Sequence, residues 1–277
     1  MSSAQTILLG AIAGATVFVG LPMARVRGLS AGARAFLNAL ATGILLFLLF
    51  DILANAIDPL ETAVERASGG SAGWGTVAAF AAVFVVGLSF GLLSLLYLGK
   101  AQGGTAEGRR PSVGPGAMAV AEATSTRRAM QLGISIAAGI GLHNFSEGLA
   151  IGQSARVGQL SLALLLVIGF ALHNATEGFG IVGPLAANDV RAPWSYLLVV
   201  GLIAGGPTFV GTIVGTAFTS EYVFVLFLAL AAGAIIYVIA QLLHTGRRMS
   251  WETTVWGLLV GFLVALATEL VLVAAGA

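Results

Sequence analysis

The chain has 277 residues, 58% of them hydrophobic and 9% charged, with a formal net charge of +1 and no cysteine. An ordinary soluble domain carries roughly 25% charged residues, so this is a membrane composition and the expected partner is a lipid bilayer. The charge gives no case for nucleic-acid binding, and the missing cysteines exclude disulfides, thiolate metal sites and thiol nucleophiles.

In chain order, a window of about 19 residues finds eight apolar segments, at 6–24, 34–57, 74–98, 130–153, 160–185, 194–218, 222–243 and 251–274. Each is long enough to cross a hydrocarbon core as a helix. They are apolar all round rather than alternating, which excludes a β-barrel. The expected fold class is an all-α integral membrane protein with eight transmembrane helices, and residues 1–277 read as a single transmembrane domain. The first segment reads as a retained helix rather than a signal peptide, because its basic residues, Arg25 and Arg27, follow the apolar run. Eleven of the thirteen basic residues fall in the odd-to-even connections: Arg25, Arg27, Arg34, Lys100, Arg109, Arg110, Arg127, Arg128, Arg191, Arg247 and Arg248. Arg66 and Arg156 alone lie on the other side, so the positive-inside rule puts both termini outside.

Two connections are long. Residues 99–129, rich in Gly, Ala, Ser and Thr, read as a flexible cytoplasmic loop between the third and fourth helices. "AIDPLETAVERASGGSAGW" reads as a solvated acidic outer loop carrying Asp58, Glu61 and Glu65. Small-xxx-small pairs at Gly10/Gly14, Gly87/Gly91, Gly211/Gly215 and Gly257/Gly261 suit close helix packing. In the sixth segment, "LIAGGPTFVG" places Gly205, Gly206 and Pro207 in mid-span, where the proline is expected to free a carbonyl and interrupt the helix.

The chemistry concentrates in two near-copies, "LHNFSEGLAIG" and "LHNATEGFGIV". His143 and Glu147 stand at i and i+4 on one helical face with Asn144 beside them, and His173, Asn174 and Glu177 repeat that triangle. The short link "SARVGQ" makes the two helices adjacent and antiparallel. Each histidine is about thirteen residues inside its own helix, so the triangles meet near the bilayer midplane. Two facing carboxylates in a low-dielectric interior repel unless something positive lies between them. A divalent cation meets that need. Imidazole, carboxylate and carboxamide donors suit zinc, iron(II), cobalt, nickel or manganese, and the lack of cysteine argues against copper(I). Gly148 and Gly178 leave room for a facing backbone to come close.

These residues resemble the ZIP (Zrt/Irt-like) divalent metal transporters, and among them the bacterial GufA-like branch. "HNFSEG" and "HNATEG" are similar to that family's His-Asn-x-Pro-Glu-Gly motifs on the fourth and fifth helices. The resemblance implies a 3+2+3 helix bundle, a homodimer in the inner membrane, and movement of metal toward the cytoplasm by an elevator-like shift. No resident cofactor is implied; the metal ion is the cargo. Carried over by position, the metal ligands are His143, Asn144, Glu147, His173, Asn174 and Glu177. Ser146 and Thr176 replace the motif proline, and their hydroxyls can bond the previous turn instead. Gly206 stands where the family often has glutamate before Pro207, and Gln241 where the seventh helix often has an acidic or histidine ligand, so one ion per site is expected.

Asp51, near the outer end of the second helix, reads as a pathway residue or a snorkelling carboxylate. His244 reads as interfacial, and Glu269 has no assigned partner. The competing reading is an intramembrane metalloenzyme that uses the same ligands to activate water, or a metal sensor without flux. The zinc-protease arrangement of two histidines flanking a glutamate on one helix is absent. Ligands must shed protons to hold a metal. With an unperturbed His pKa near 6.5, metal uptake should therefore fall between about pH 7 and pH 5. A flat uptake profile across that range would remove histidine from the ligand set.

Overall fold

The computed structural model describes residues 2–26, 28, 30–103, 115–156, 160–217 and 220–275; at 98–103, 115–122, 160–166, 169, 172–173, 272 and 275 it describes the backbone alone. No strand occurs among the described residues. The helices are α1 (Ser3–Ala15), α2 (Val17–Gly20), a 3-10 turn (Leu21–Arg25), α3 (Ala31–Ser68), α4 (Trp74–Gly103), α5 (Pro115–Arg156), α6 (Leu160–Ala187), α7 (Trp194–Ala217), α8 (Glu221–Met249) and α9 (Trp251–Ala275). Six segments among the described residues are long and apolar enough to cross a membrane: Ser3–Arg25, Ala31–Ser68, Trp74–Tyr97, Trp194–Ala217, Glu221–Met249 and Trp251–Val271. The repeated motif sits on α5 and α6.

Four elements differ from the sequence expectation. The first helix is broken at Thr16, whose backbone N and Oγ1 donate to the Ala13 carbonyl at 3.2 and 2.6 Å. A side chain that competes for a backbone carbonyl loosens the helical ladder, and Pro22 then tightens the next turn to 3-10. The acidic outer loop is instead helical, because α3 continues through Pro59 to Ser68. Its apolar stripe explains this: Ala63 packs with Phe80 of α4 and Val225 of α8, with Leu60 alongside. At 1.5 Å per residue, the 38 residues of α3 reach about 57 Å, well beyond a hydrocarbon core of about 30 Å.

The expected flexible loop at 99–129 is helical over 99–103 and 115–129, and residues 104–114 lie outside the described residues. "AMAVAEATSTRRAM" is rich in good helix formers, and Ala129 is buried in the main core. Finally, α7 runs unbroken through Pro207. The carbonyl of Ile203, four residues before the proline, lies against Gly141 of α5, where a side chain would collide with it. A neighbouring helix that fits closely tolerates the proline.

Glycines sort the helices into two sets. Gly14 of α1 and Gly205 of α7 each lie where a Cβ would strike the other's carbonyl. Gly20 and Gly178 bring α2 onto α6, while Gly148 and Gly211 bring α5 onto α7. In the second set, Gly43 and Gly261 join α3 to α9, and Gly91 and Gly233 join α4 to α8. Between the sets the nearest neighbours are side chains: a Cβ on Gly183 would meet Ala41 Cβ at 2.8 Å, one on Gly139 would meet Ala234 Cβ at 3.2 Å, and one on Gly180 would meet Leu45 at 3.8 Å. Backbone thus locks to backbone among α1, α2, α5, α6 and α7 and in the pairs α3–α9 and α4–α8, which the hydrogen bond from Asn38 to the Leu242 carbonyl joins into a second set; mostly apolar side chains lie between the two sets.

A Gly211→Val variant forces its Cβ onto the Phe145 carbonyl and the Leu149 amide of α5. Overpacking of this kind costs about 1–3 kcal/mol, so its thermal midpoint in detergent should fall. Gly206, with nothing within 4 Å of its missing Cβ, should accept alanine without loss.

Candidate metal centre

Asn144 is 0% exposed and cannot reach water. Its Nδ2 donates to Glu177 Oε2 of α6 at 3.1 Å and to the Ala204 carbonyl of α7 at 3.1 Å. Both partners are acceptors, which fixes the amide orientation. The Oδ1 atom is left buried with no hydrogen-bond partner among the described residues. Asn174 is oriented by the same logic: its Nδ2 donates to the Ala13 carbonyl at 3.1 Å, and its Oδ1 has no partner among the described residues. Each asparagine is anchored by its nitrogen and presents its oxygen.

On the same face of α5, His143 Nε2 lies 3.2 Å from Glu147 Oε1, with both side chains about 5% exposed. Glu147 Oε2 and the Ser146 hydroxyl are buried without partners among the described residues. The back-bond expected of Ser146 is therefore not made. Glu177 is fully buried, and its carboxylate lies within electrostatic range of Glu147 and His143. Buried oxygens without partners are costly in a protein interior. A cation bound among them would relieve that cost. Among the described residues, no three His, Asp or Glu side chains already converge as a ready metal cage, so carboxamide oxygens would have to complete the shell. The side chain of His173 lies outside the described residues; its backbone is helical within α6.

The two triangles are not equivalent. The first motif's asparagine reaches the second motif's glutamate, whereas the second motif's asparagine turns to α1. Gly148 and Gly178 do admit close backbones, but those of α7 and of residues 17–20 rather than of each other.

Asp51 is half-buried, accepts a hydrogen bond from Asn55 Nδ2 at 3.1 Å, and lies within electrostatic range of His143 and Glu147. Glu269 of α9, which the sequence left unassigned, is half-buried within range of Asp51 and Glu147. The signal was there, since a carboxylate in an apolar span defaults to a functional role, but only the fold supplies its neighbours. Gln241 is not brought to the cluster: it is exposed on α8, opposite the inward stripe of Ile235, Val238 and Leu242. His244 is exposed on the same helix. Gly206 points into open space, and Ala204 is the α7 residue that faces Asn144.

These features define a polytopic helical membrane protein with a buried cluster of imidazole, carboxylate and carboxamide groups. The chain matches the ZIP Zinc transporter family over residues 105–269, more than half its length, and it belongs to that family. Family members are transporters rather than enzymes, so the protein is a divalent metal transporter of a membrane. No curated protein matches the chain.

Replacing Asn144 with alanine strips donors from Glu177 and Ala204 at once. A buried polar group left unsatisfied costs about 1–3 kcal/mol, so Asn144→Ala should lower the thermal midpoint, with metal-free protein the right sample for the measurement. An unchanged midpoint would mean that the bridge contributes nothing to the packing of α5, α6 and α7.

Proposed function

We propose that the protein carries a divalent first-row metal, zinc foremost and iron, manganese or cadmium as alternatives, from outside into the cytoplasm across the inner membrane. His143, Glu147, His173 and Glu177 serve as ligands, with Asn144 and Asn174 completing the shell through their Oδ1 atoms. The observation that carries this reading is the pair of buried asparagines whose nitrogens are engaged and whose oxygens are not. Carboxylate, imidazole and carboxamide oxygen together suit a borderline cation. One ion per site is the preferred count, since Gly206 and the exposed Gln241 offer no charged ligand for a second.

The remaining elements of the reading are an eight-helix, 3+2+3 protomer, a homodimer, and an elevator-like shift. Support for the shift comes from the two helix sets. The cluster sits on α5 and α6, inside a set whose members interlock through their backbones, and that set meets α3 and α8 mostly through apolar side chains, Asp51 being the acidic exception near His143. Dispersion contacts between such surfaces are individually weak and non-directional. They allow one set to slide past the other more readily than interlocked glycines would.

The deciding experiment is zinc uptake into proteoliposomes, with Glu177→Ala alongside and manganese, iron(II) and cadmium as competitors. Saturable uptake in the wild type, reduced at least tenfold in the variant, is expected. Zinc that binds but never crosses would instead favour an intramembrane metalloenzyme or a sensor.

A further inference from the structure

We propose that the Arg34–Asp189 ion pair is a latch that joins the two helix sets at one end of the bundle and must open during transport; the proposal rests on the two-set reading above. Arg34 lies in the first turn of α3, in one set, and Asp189 follows α6, in the other. Their Nη1 and Oδ2 atoms are 2.9 Å apart. By contrast, the interhelical hydrogen bonds of Asn144, Asn174 and Tyr196 stay within one set, and that of Asn38 to the Leu242 carbonyl stays within the other. The nearby Arg25 is likewise held inside its own set, donating to the Ala192 carbonyl at 2.7 Å and lying over the Trp194 ring.

Both partners occupy positions that local structure does not favour. Asp189 has φ of 57°, the left-handed conformation. It closes α6 with the Val190 amide bonded to the Leu185 carbonyl at 2.8 Å and its own amide to Ala186 at 3.2 Å. Glycine is the usual residue in this helix-ending motif, so an aspartate there gives up backbone ease and gains a carboxylate on a rigid turn. Arg34 puts a positive charge at a helix N-terminus, where the dipole opposes it. A single function accounts for both choices. The pair is only partly shielded, with side-chain exposures of 25% and 68%, and ion pairs of that kind shift an equilibrium by no more than about five-fold. It can bias a transport cycle without stopping it.

The cysteine-free chain makes the test clean. Arg34→Cys/Asp189→Cys is bridged with a bis-methanethiosulfonate, which reductant cleaves. The control bridges Ser125→Cys/Asn188→Cys, a contact of 3.3 Å within one set at the same end of the molecule. Zinc uptake should be lost in the bridged 34/189 protein, return on reduction, and survive in the bridged control. Uptake unaffected by the 34/189 bridge, or equally blocked by both bridges, overturns the proposal. A readout independent of flux uses spin labels on Gly32→Cys/Asn188→Cys, with Asp189 present or replaced by glycine, which keeps the turn. Asp189→Gly should shift population toward longer distances by up to about five-fold; identical distributions overturn the latch even if the protein carries no zinc. Absent uptake with a shifted distribution would instead count against the transport reading alone.

Discussion

In hydrocarbon, a buried amide hydrogen has no water to fall back on, and the centre of this protein is arranged around that constraint at Asn144. One carboxamide nitrogen engages a carboxylate of α6 and a backbone carbonyl of α7. Those two bonds tie three helices at one point and set the direction of Glu177. They also dictate which end of the amide is left over. The Asn144 oxygen is thus left over because its nitrogen is spent.

How much of this was legible depends on the kind of signal. The repeated His-Asn-x-x-Glu-Gly pattern placed the buried residues correctly on two neighbouring helices, since i, i+4 geometry needs no tertiary information. The repeat also suggested a symmetry that the fold lacks. Asn174 bonds to Ala13, and no property of "HNATEG" identifies the helix that will stand beside it. The break was anticipated at Pro207 and occurs at Thr16, because a proline in a helix can be accommodated by a glycine on the next helix, here Gly141. Likewise "DPLETAVERAS" looked like a loop on account of its charges, yet Ala63 and Ala67 lie buried along it. Charge is read directly from sequence, whereas burial depends on who the neighbours are.

Small-residue spacing behaved in the same way. Gly211 and Gly215 were visible as a contact surface, but their partners, Phe145 and Leu149 of α5, were not. Sorting those contacts by whether backbone or side chain meets the glycine gives the two helix sets, and it assigns the buried donors to one of them. The motif and the glycines therefore describe one body, whose surface toward α3 and α8 is mostly apolar, with Asp51 facing it near His143 and Arg34 reaching Asp189.

The broken first helix carries a consequence for how a cation is attracted. Because α1 stops at Ala15 and Asn174 hydrogen-bonds the carbonyl of Ala13, the C-terminal end of α1 lies beside the second motif. The aligned peptide dipoles of a helix place a partial negative charge of roughly half an electron at that end. This contribution is made of backbone alone. It does not titrate, so as acid neutralises the carboxylates and gives the imidazoles a positive charge, this negative part of the field at the cluster stays in place.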